Sequence, residues 1–360
     1  MSSRASDAKR ILGIVCLVSV CGFLVYRSGF DAGASIAMIR RSGGSVLWLV
    51  LPFVLIASVE AAAWSVTLGI PWLSRRSAPL LRARVGLESI SLTVPGSALA
   101  ADGVAPSLLG RLAGTDLAET VGGVAVKKWG IVFGHATALG LAVAVGGAFF
   151  ARAGQRLDLP FAPRLLVGLL ALVGLCAATG LGLALRGGFA ERIRAVVLRL
   201  PWRALAVRAE RLVDAVATVD STARDFFLGR RRRVAILAAV SAGIWLLESF
   251  EVYVMLRVLG AYPSFVDVLA MEATLGLVRG LAFFSPGGLG VQEVATMSLV
   301  PALVASGDPA LASGLIVLRR IRDVACIGLG YAVLASAFAT KRRESVAIPA
   351  RAGVAKTALP

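Results

Sequence analysis

The chain is dominated by long apolar segments that alternate with short basic ones. A helix needs about 20 apolar residues to cross the hydrocarbon core of a bilayer, so segments of this kind predict transmembrane helices. Six are found, at about residues 11–26, 46–70, 118–150, 163–185, 234–256 and 309–339. The first has the length of a short span or of a signal-peptide core, and the lack of a clear cleavage site after it favours a retained helix.

Two further apolar regions are interrupted by residues that break helices. The breaks are Pro95, Gly96 and Pro106 in region 87–114, and Pro286, Gly287 and Gly288 in region 264–305. Proline removes a backbone donor and glycine permits turns that other residues resist. Broken backbone survives in lipid only where protein or a polar cavity satisfies it. The pattern therefore predicts an all-α polytopic membrane protein with about six full spans and two re-entrant regions.

Composition supports a membrane protein and excludes a soluble one. The 360 residues are 58% hydrophobic and 16% charged, with a mean hydropathy of +0.82. The net charge of +17 would suggest nucleic acid in a soluble protein, but here the excess lies in loops between apolar segments. The loops expected on one side are 1–10, 71–84, 186–233 and 341–360. Their positive bias predicts a multi-pass protein of the cytoplasmic (inner) membrane with both termini in the cytoplasm.

The two interrupted regions share a spacing that indicates an internal repeat. A carboxylate, Asp102 or Glu293, follows each first proline by seven residues, and a base, Lys128 or Arg319, follows by 33. Each base has a basic neighbour, and these neighbours are Lys127 and Arg320. With cytoplasmic termini and six full spans, region 87–114 would open to the cytoplasm and region 264–305 to the outside. The two copies would then form an inverted repeat, the architecture that exposes a central site alternately to each face.

This repeat sets the expected domain organisation. Residues 1–340 are predicted to form a single membrane domain, with repeat one at about 87–150 and repeat two at about 264–339. A basic cytoplasmic loop covers 186–233, and a flexible cytoplasmic tail covers 341–360.

The embedded bases are the strongest candidates for a binding site. Charges at this depth are costly and indicate function by default. Lysine and arginine there need anionic partners, and lipid phosphate is the anion most available in a bilayer. The predicted phosphate-binding residues are Lys127, Lys128, Arg319 and Arg320. The alternative is that these bases only pair with internal carboxylates such as Asp102 and Glu293, and the two roles can coexist.

Three further polar residues are candidates for the cavity. Glu248 and Glu251 share a helix face and could be counter-ions or proton acceptors, or could lie near the outer interface beside Trp245. His135 lies on nearly the same face as Lys128 and could relay protons. A backbone carbonyl that satisfies a solitary histidine is the simpler role. The cysteines form no CxxC, and neither a metal site, a cofactor nor a catalytic residue is predicted.

Several runs carry a resemblance to a known family. VRGLAFFSPGGLGVQE, LRRIRDVACIGLGYAVLA, LESISLTVPG and VAVKKW are similar to the flippase-like integral-membrane domain of lysylphosphatidylglycerol synthase and its stand-alone relatives, which include hopanoid-associated membrane proteins. The resemblance covers about residues 45–340. It implies a helical fold with paired re-entrant elements and a role in moving or presenting lipids, but no synthase reaction, because no aminoacyl-transferase domain follows residue 340.

Together these features predict a non-enzymatic, flippase-like transporter of an anionic phospholipid. The alternative is a membrane-embedded lipid-modifying enzyme, or its accessory subunit, that acts on a lipid-linked phosphate. The expected partners are membrane lipids and not nucleic acid, and the sequence leaves open whether the chain forms a homo-oligomer.

Overall fold

The structure is a computed structural model that describes residues 30–72, 74, 77–94, 97–158, 162–186, 195, 217, 219–281, 288–304 and 307–347. Within these residues every regular element is a helix, so the all-α prediction is confirmed. The α-helices are α1 Ala32–Ser42, α2 Val50–Leu68, α3 Ala78–Thr93, α4 Ser97–Ala113, α5 Leu117–Val145, α6 Gly147–Arg156, α7 Ala162–Arg186, α8 Arg231–Val258, α9 Phe265–Leu281, α10 Val291–Leu299 and α11 Pro309–Ala347. Short 3-10 helices occupy Gly43–Leu49 and Val300–Ala302, and residues 219–229 are also helical.

Three helical stretches of the described chain are long and apolar enough to cross a membrane. They are Ala32–Leu68, Leu117–Val145 and Arg231–Val258. The apolar segment 11–26 and most of loop 186–233 lie outside the described residues. A polytopic membrane protein is consistent with these helices, whereas the number of six spans stays a prediction.

The first predicted break separates two helices, but Pro106 does not break the chain. Helix α3 ends at Thr93 and α4 begins at Ser97, with Pro95 and Gly96 between them outside the described residues. The interruption expected at Pro106 is wrong, because α4 continues through this residue. Proline costs a helix one donor, and neighbouring helices can compensate for that loss in a packed membrane protein.

The second break separates α9 from α10. Pro286 and Gly287 lie outside the described residues, while Gly288 and Gly290 have positive φ angles of 68° and 85°. Such angles suit glycine, which has no Cβ to clash with the backbone. The Glu293 carboxylate accepts a hydrogen bond of 2.6 Å from the Gly290 N–H, so it caps the new helix.

Two aspartates start helices on the N-terminal side of apolar segments. Asp31 accepts from the Ala34 N–H at 2.9 Å, and Asp116 accepts from the Ala118 N–H at 3.0 Å. Each carboxylate satisfies a donor that has no intrahelical partner. The cap at Asp31 explains why helix α1 forms between the first two predicted spans, 11–26 and 46–70. At the other end of the chain, α11 extends to Ala347, within the predicted tail.

Apolar side chains pack the helices together in three clusters of the described residues. The largest joins α5, α6, α8, α9, α10 and α11. A second joins α2 to α5 and takes Leu334 from α11. The third joins α2, α5 and α8 to the helical segment 219–229. Helices α2, α3, α5, α8, α9 and α11 are thereby held around a common interior.

The outer surface is itself apolar. Large side chains such as Leu47, Trp48, Leu175 and Val324 are between 64% and 75% exposed. A soluble monomer rarely presents many large apolar side chains in this way. Exposure to lipid explains the pattern, in agreement with the composition.

Glycines let α5 and α8 approach very closely. A Cβ on Gly134 would collide with the Ser241 backbone, and one on Gly130 would collide with the Ser241 hydroxyl. Small residues four apart are a common way for membrane helices to bring their backbones together. The pairing of α5 with α8 therefore depends on these two glycines.

Candidate functional site

The helices enclose a cavity of about 110 Å³ that is lined mainly by charged side chains. We call it the arginine cavity. Its bases are Arg84, Arg279, Arg319, Arg320 and Arg322, and its carboxylates are Glu88, Glu248, Glu251, Glu272 and Asp323. So many charges within an apolar helical protein indicate a functional site rather than a packing feature.

Arg319 and Arg320, two of the predicted phosphate-binding bases, both line this cavity and both have carboxylate partners. Arg319 donates to Glu272, whose side chain is 2% exposed. Arg320 donates to Glu293 and, through Nη1, to Asp323 Oδ2 at 2.8 Å. Charge-assisted pairs of this kind are about twice as strong as neutral hydrogen bonds. Both arginines are thus held in place by the protein itself.

The predicted counter-ions Glu248 and Glu251 also line the arginine cavity. Glu248 Oε2 lies 3.2 Å from Arg279 Nη2. Glu251 accepts from Arg322, and Arg322 also contacts Asp323 Oδ1 at 2.7 Å. Of the three alternatives considered for this glutamate pair, the geometry fits that of counter-ions.

A second cavity, of about 180 Å³, adjoins the first. We call it the lysine cavity. Its polar lining consists of Glu60, Trp64, Arg84, Glu88, Ser91, Asp102, Lys127 and Lys128. Because Arg84 and Glu88 line both cavities, they form the wall between them. The four predicted bases thus lie around two adjoining cavities, the lysines at one and the arginines at the other.

Lys127 is the buried base of the lysine cavity. Its Nζ atom lies 3.0 Å from Glu60 Oε2 and 4.6 Å from the centre of the Trp64 ring. An aromatic face attracts a cation through its quadrupole, so Trp64 partly replaces the water that the ammonium loses. Glu60 and Trp64, both on α2, therefore hold Lys127 from α5.

Lys128 is far more accessible. Its Nζ atom lies 2.8 Å from Asp102 Oδ2, and the two side chains are 42% and 28% exposed. This pair joins α5 to α4, the helix that follows the first break. After the second break, Glu293 contacts Arg320 on α11, whereas Arg319, which has the spacing of Lys128, contacts Glu272. In both halves, the carboxylate seven residues beyond the proline contacts a base on the next helix.

Arg84 was not predicted to be a site residue, because it was counted among the charges of cytoplasmic loop 71–84. The structure corrects this, because Arg84 lies within α3 and its side chain is only 14% exposed. It donates to Glu60 Oε1 and to Glu88 Oε2, each at 2.6 Å. The spacing of Arg84 and Glu88, four apart, was the available signal, since such pairs meet on one helix face.

Glu272 and Arg279 were also missed. They lie seven residues apart on α9, hence on one face, and both line the arginine cavity. The signal that identified Glu248 and Glu251, a charge inside an apolar segment, applied to them equally. Only the glycine-rich break that follows these two residues was identified from the sequence.

His135 lines neither of the two cavities. Its Nε2 atom is 3.0 Å from the Ala273 carbonyl oxygen, and its ring stacks on Trp245 at 4.1 Å. This arrangement corresponds to the simpler role, a histidine satisfied by a backbone carbonyl. It also brings α5, α8 and α9 together.

The site is a network of paired charges rather than a set of free cations. Each base and each carboxylate lining the arginine cavity contacts an opposite charge within the described residues. Such a network can exchange partners with an incoming ligand that carries charge. A buried ion pair contributes little net stability, but removal of one partner is costly because the other charge is then buried without a counter-charge. A charged ligand could therefore replace one partner of a pair, whereas a substitution that removes that partner should destabilise the protein.

The chain matches the model of a known protein family. The model of the family described as "Lysylphosphatidylglycerol synthase TM region" matches residues 10–330. This range includes both cavities and both breaks. No curated protein and no solved structure matches the chain.

Proposed function

The chain belongs to the lysylphosphatidylglycerol synthase TM-region family, and from this premise we propose that it moves or presents an anionic phospholipid across the cytoplasmic membrane without acting as an enzyme. The family identifies a membrane protein of lipid metabolism or transport. Transport itself is the proposal.

The observation that carries this proposal is the pair of adjoining polar cavities inside an apolar bundle. The two share Arg84 and Glu88, so polar lining continues from Lys127 and Lys128 to Arg319 and Arg320. A lipid headgroup that crosses a bilayer needs such a polar path, because charged groups are costly in hydrocarbon. The apolar outer surface would meanwhile leave the acyl chains in lipid.

The headgroup phosphate would enter by exchange of ion pairs. Lys128 and Asp102 are the most exposed pair of the lysine cavity, so their separation costs least. A phosphate oxygen can then replace Asp102 as the acceptor for Lys128. Lys127, Arg320 and Arg319 would offer further donors along the path as their own partners shift.

Six spans, an inverted repeat and cytoplasmic termini form part of the same proposal. Arg319, the residue equivalent to Lys128, contacts Glu272 and not Glu293. The position of Asp102 and Glu293, each seven residues after a proline and each in contact with a base of the next helix, nevertheless supports a repeat. So does the position of Glu60 and Glu251, which each precede the first proline of a break by 35 residues and each accept from a cavity arginine. Rocking of one repeat against the other would expose the cavities alternately.

A lipid-modifying enzyme remains the alternative function. It would need a carboxylate or another base that is available to the substrate. In the arginine cavity each lining carboxylate is engaged by an arginine, an arrangement better suited to electrostatic holding than to proton transfer.

A flipping assay tests the proposal. The purified protein is reconstituted into vesicles with fluorescent phosphatidylglycerol, and a membrane-impermeant reductant bleaches the label in the outer leaflet. Transport predicts that bleaching proceeds beyond the outer-leaflet fraction, and that Lys127→Gln/Lys128→Gln slows it at least tenfold. A labelled ceramide, which lacks phosphate, serves as the control. Equal rates for the two lipids, or none above protein-free vesicles, would contradict the proposal.

The orientation has its own test. In a chain whose four native cysteines are replaced by serine, Tyr262→Cys should react with an impermeant thiol reagent in intact cells. Gly229→Cys should react only after permeabilisation, because the positive bias assigns it to the cytoplasm. Both positions are exposed. The reverse labelling would overturn the proposed orientation while leaving transport open to the flipping assay.

A further inference from the structure

Two buried N–H groups at the lysine cavity lack acceptors among the residues that the structure describes. They are Trp64 Nε1 and Arg84 Nε. Both residues line this cavity, and Trp64 is only 3% exposed. Buried polar groups in proteins are almost always hydrogen-bonded, so each exception calls for an explanation. Two of them at one cavity point to a common cause.

The two donors belong to one connected group of side chains. The Glu60 carboxylate contacts Arg84 through Oε1 at 2.6 Å and Lys127 through Oε2 at 3.0 Å. Lys127 in turn lies 4.6 Å from the centre of the Trp64 ring. Glu60 uses one oxygen for each cation, and Trp64 and Arg84 stand at the two ends of the chain. The group therefore offers N–H donors around a base whose position is fixed.

We propose that Trp64 and Arg84 form an oxyanion-recognition subsite in the lysine cavity, where the Trp64 indole N–H and the Arg84 Nε–H donate to oxygens of a phosphoryl group held beside Lys127. An indole N–H and an arginine Nε–H can only donate, so the ligand must supply acceptors. A phosphoryl group presents several acceptor oxygens and the charge that Lys127 prefers. A lipid phosphodiester and free phosphate share this chemistry.

The subsite rests on the proposed function and makes it more specific. Lysines provide charge without directional selectivity, whereas an indole N–H in a buried wall fixes where one oxygen must lie. Trp64 would then select lipids whose phosphoryl group reaches the bottom of the cavity. The arginine cavity has no equivalent, since no lining group there other than Arg84 leaves a buried N–H without a described acceptor.

The test variant replaces the Trp64 indole with a phenyl ring, which is aromatic but has no N–H. Trp64→Phe preserves the aromatic face toward Lys127 but cannot donate. We expect it to weaken binding of phosphatidylglycerol in nanodiscs roughly tenfold, which corresponds to one hydrogen bond to a charged acceptor. Without added ligand, Trp64→Phe should lower the melting temperature less than Trp129→Phe does, because both variants lose the same side-chain volume but only Trp129→Phe also loses a hydrogen bond to a protein acceptor. Trp129→Phe is the matched control, since Trp129 donates to the Ala177 carbonyl at 3.2 Å, away from the cavity.

A spectroscopic measurement reports the same contact without relying on affinity. Indole N–H signals of the ¹⁵N-tryptophan-labelled protein are assigned with the two variants, then followed during titration. The Trp64 signal should move downfield with phosphatidylglycerol and stay unchanged with diacylglycerol, while the Trp129 signal stays unchanged with both. A shift with inorganic phosphate as well would show that the phosphoryl group alone is recognised. A shift with the lipid only would restrict the ligand to the phosphodiester.

The outcomes separate this subsite from the proposed function. If phosphatidylglycerol binds wild type and Trp64→Phe equally and the Trp64 signal does not move, the subsite is wrong and lipid transport stands. If Trp64→Phe lowers the melting temperature without ligand as much as Trp129→Phe does, or more, the N–H serves the fold and the subsite is again wrong. If wild type binds neither phosphatidylglycerol nor phosphate, both proposals are overturned.

Discussion

The arginine cavity and the lysine cavity adjoin each other yet differ in how tightly their charges are held. In the first, bases from three helices meet five carboxylates, and the side chains of Glu251, Glu272 and Asp323 are at most 9% exposed. In the lysine cavity, Lys128 and Asp102 form one partly exposed contact, and the Trp64 N–H has no acceptor among the described residues. Arginine, lysine and carboxylate side chains thus form a tightly paired arginine cavity and a less tightly paired lysine cavity, which can accept a ligand more easily.

The largest effect is expected at the centre of the arginine cavity. Glu272 pairs with Arg319 and lies 3.6 Å from Arg279. Glu272→Gln would leave a buried arginine short of its carboxylate, so we expect a loss of about 3–5 kcal/mol in the free energy of unfolding. Chemical denaturation in detergent measures it. Glu119→Gln, at an exposed site on α5, should change stability by less than about 1 kcal/mol. Equal effects of the two variants would remove the distinction between the cavities.

The next largest effect separates the roles of the two basic pairs. Arg319→Gln/Arg320→Gln should lower the melting temperature strongly, because it strands Glu272 and Glu293. Lys127→Gln/Lys128→Gln should lower it less, since Glu60 keeps Arg84. The lysine variant should instead weaken lipid binding, by about 1.5–3 kcal/mol for each lost charge-assisted contact. Unchanged lipid binding together with a collapsed melting temperature in the lysine variant would assign those bases to the fold alone.

The break before α10 should give an intermediate effect. Gly288 has a φ of 68°, and an alanine there would be strained by about 1–2 kcal/mol. Its Cβ would also meet the Gln292 side chain, which lines the arginine cavity. Gly288→Ala should therefore reduce both stability and flipping. Gly280→Ala, inside α9 with no heavy atom within 4 Å of the added Cβ, should be neutral or stabilising. Normal flipping in Gly288→Ala would show that the break serves packing only.

The smallest effect belongs to the exposed pair of the lysine cavity. Lys128→Gln should change the free energy of unfolding by less than about 1 kcal/mol, because partly exposed ion pairs contribute little. Asp102→Asn should do the same and should also free Lys128 for a phosphate, which would tighten lipid binding. Thermal unfolding and lipid titration of the two variants, side by side, check this. A loss above about 2 kcal/mol would mean that the pair is a structural link like those of the arginine cavity.

Much of the fold could be predicted because apolar length and helix breakers act locally. The helix starts near Ser97 and Val291 follow from proline and glycine, and the long helices follow from segment length. The prediction that Pro106 interrupts a helix was wrong, because whether a proline stops a helix depends on neighbouring helices that compensate for the lost donor. The same local spacing identified Asp102, Glu293 and the basic pairs before any contact was known.

The pairing of the charges could not be predicted, because it depends on which helices meet. Nothing in the spacing shows that Glu60 from α2 bridges Arg84 and Lys127. Trp64 looked like any apolar residue of a span, since an unsatisfied indole N–H is a property of its surroundings and not of its type. Arg84 was assigned to a loop because charge alone does not distinguish a residue inside a helix from one in a loop.

The close contact of α5 with α8 has a mechanical consequence. With Gly130 and Gly134 pressed against Ser241, neither helix has room to slide along the other. The two helices are expected to move as one rigid unit. This unit carries Lys127 and Lys128 on α5 and Glu248 and Glu251 on α8. Because the lysine cavity is lined by residues of α5 and the arginine cavity by residues of α8, a tilt of this pair of helices would change the shape of both cavities at once.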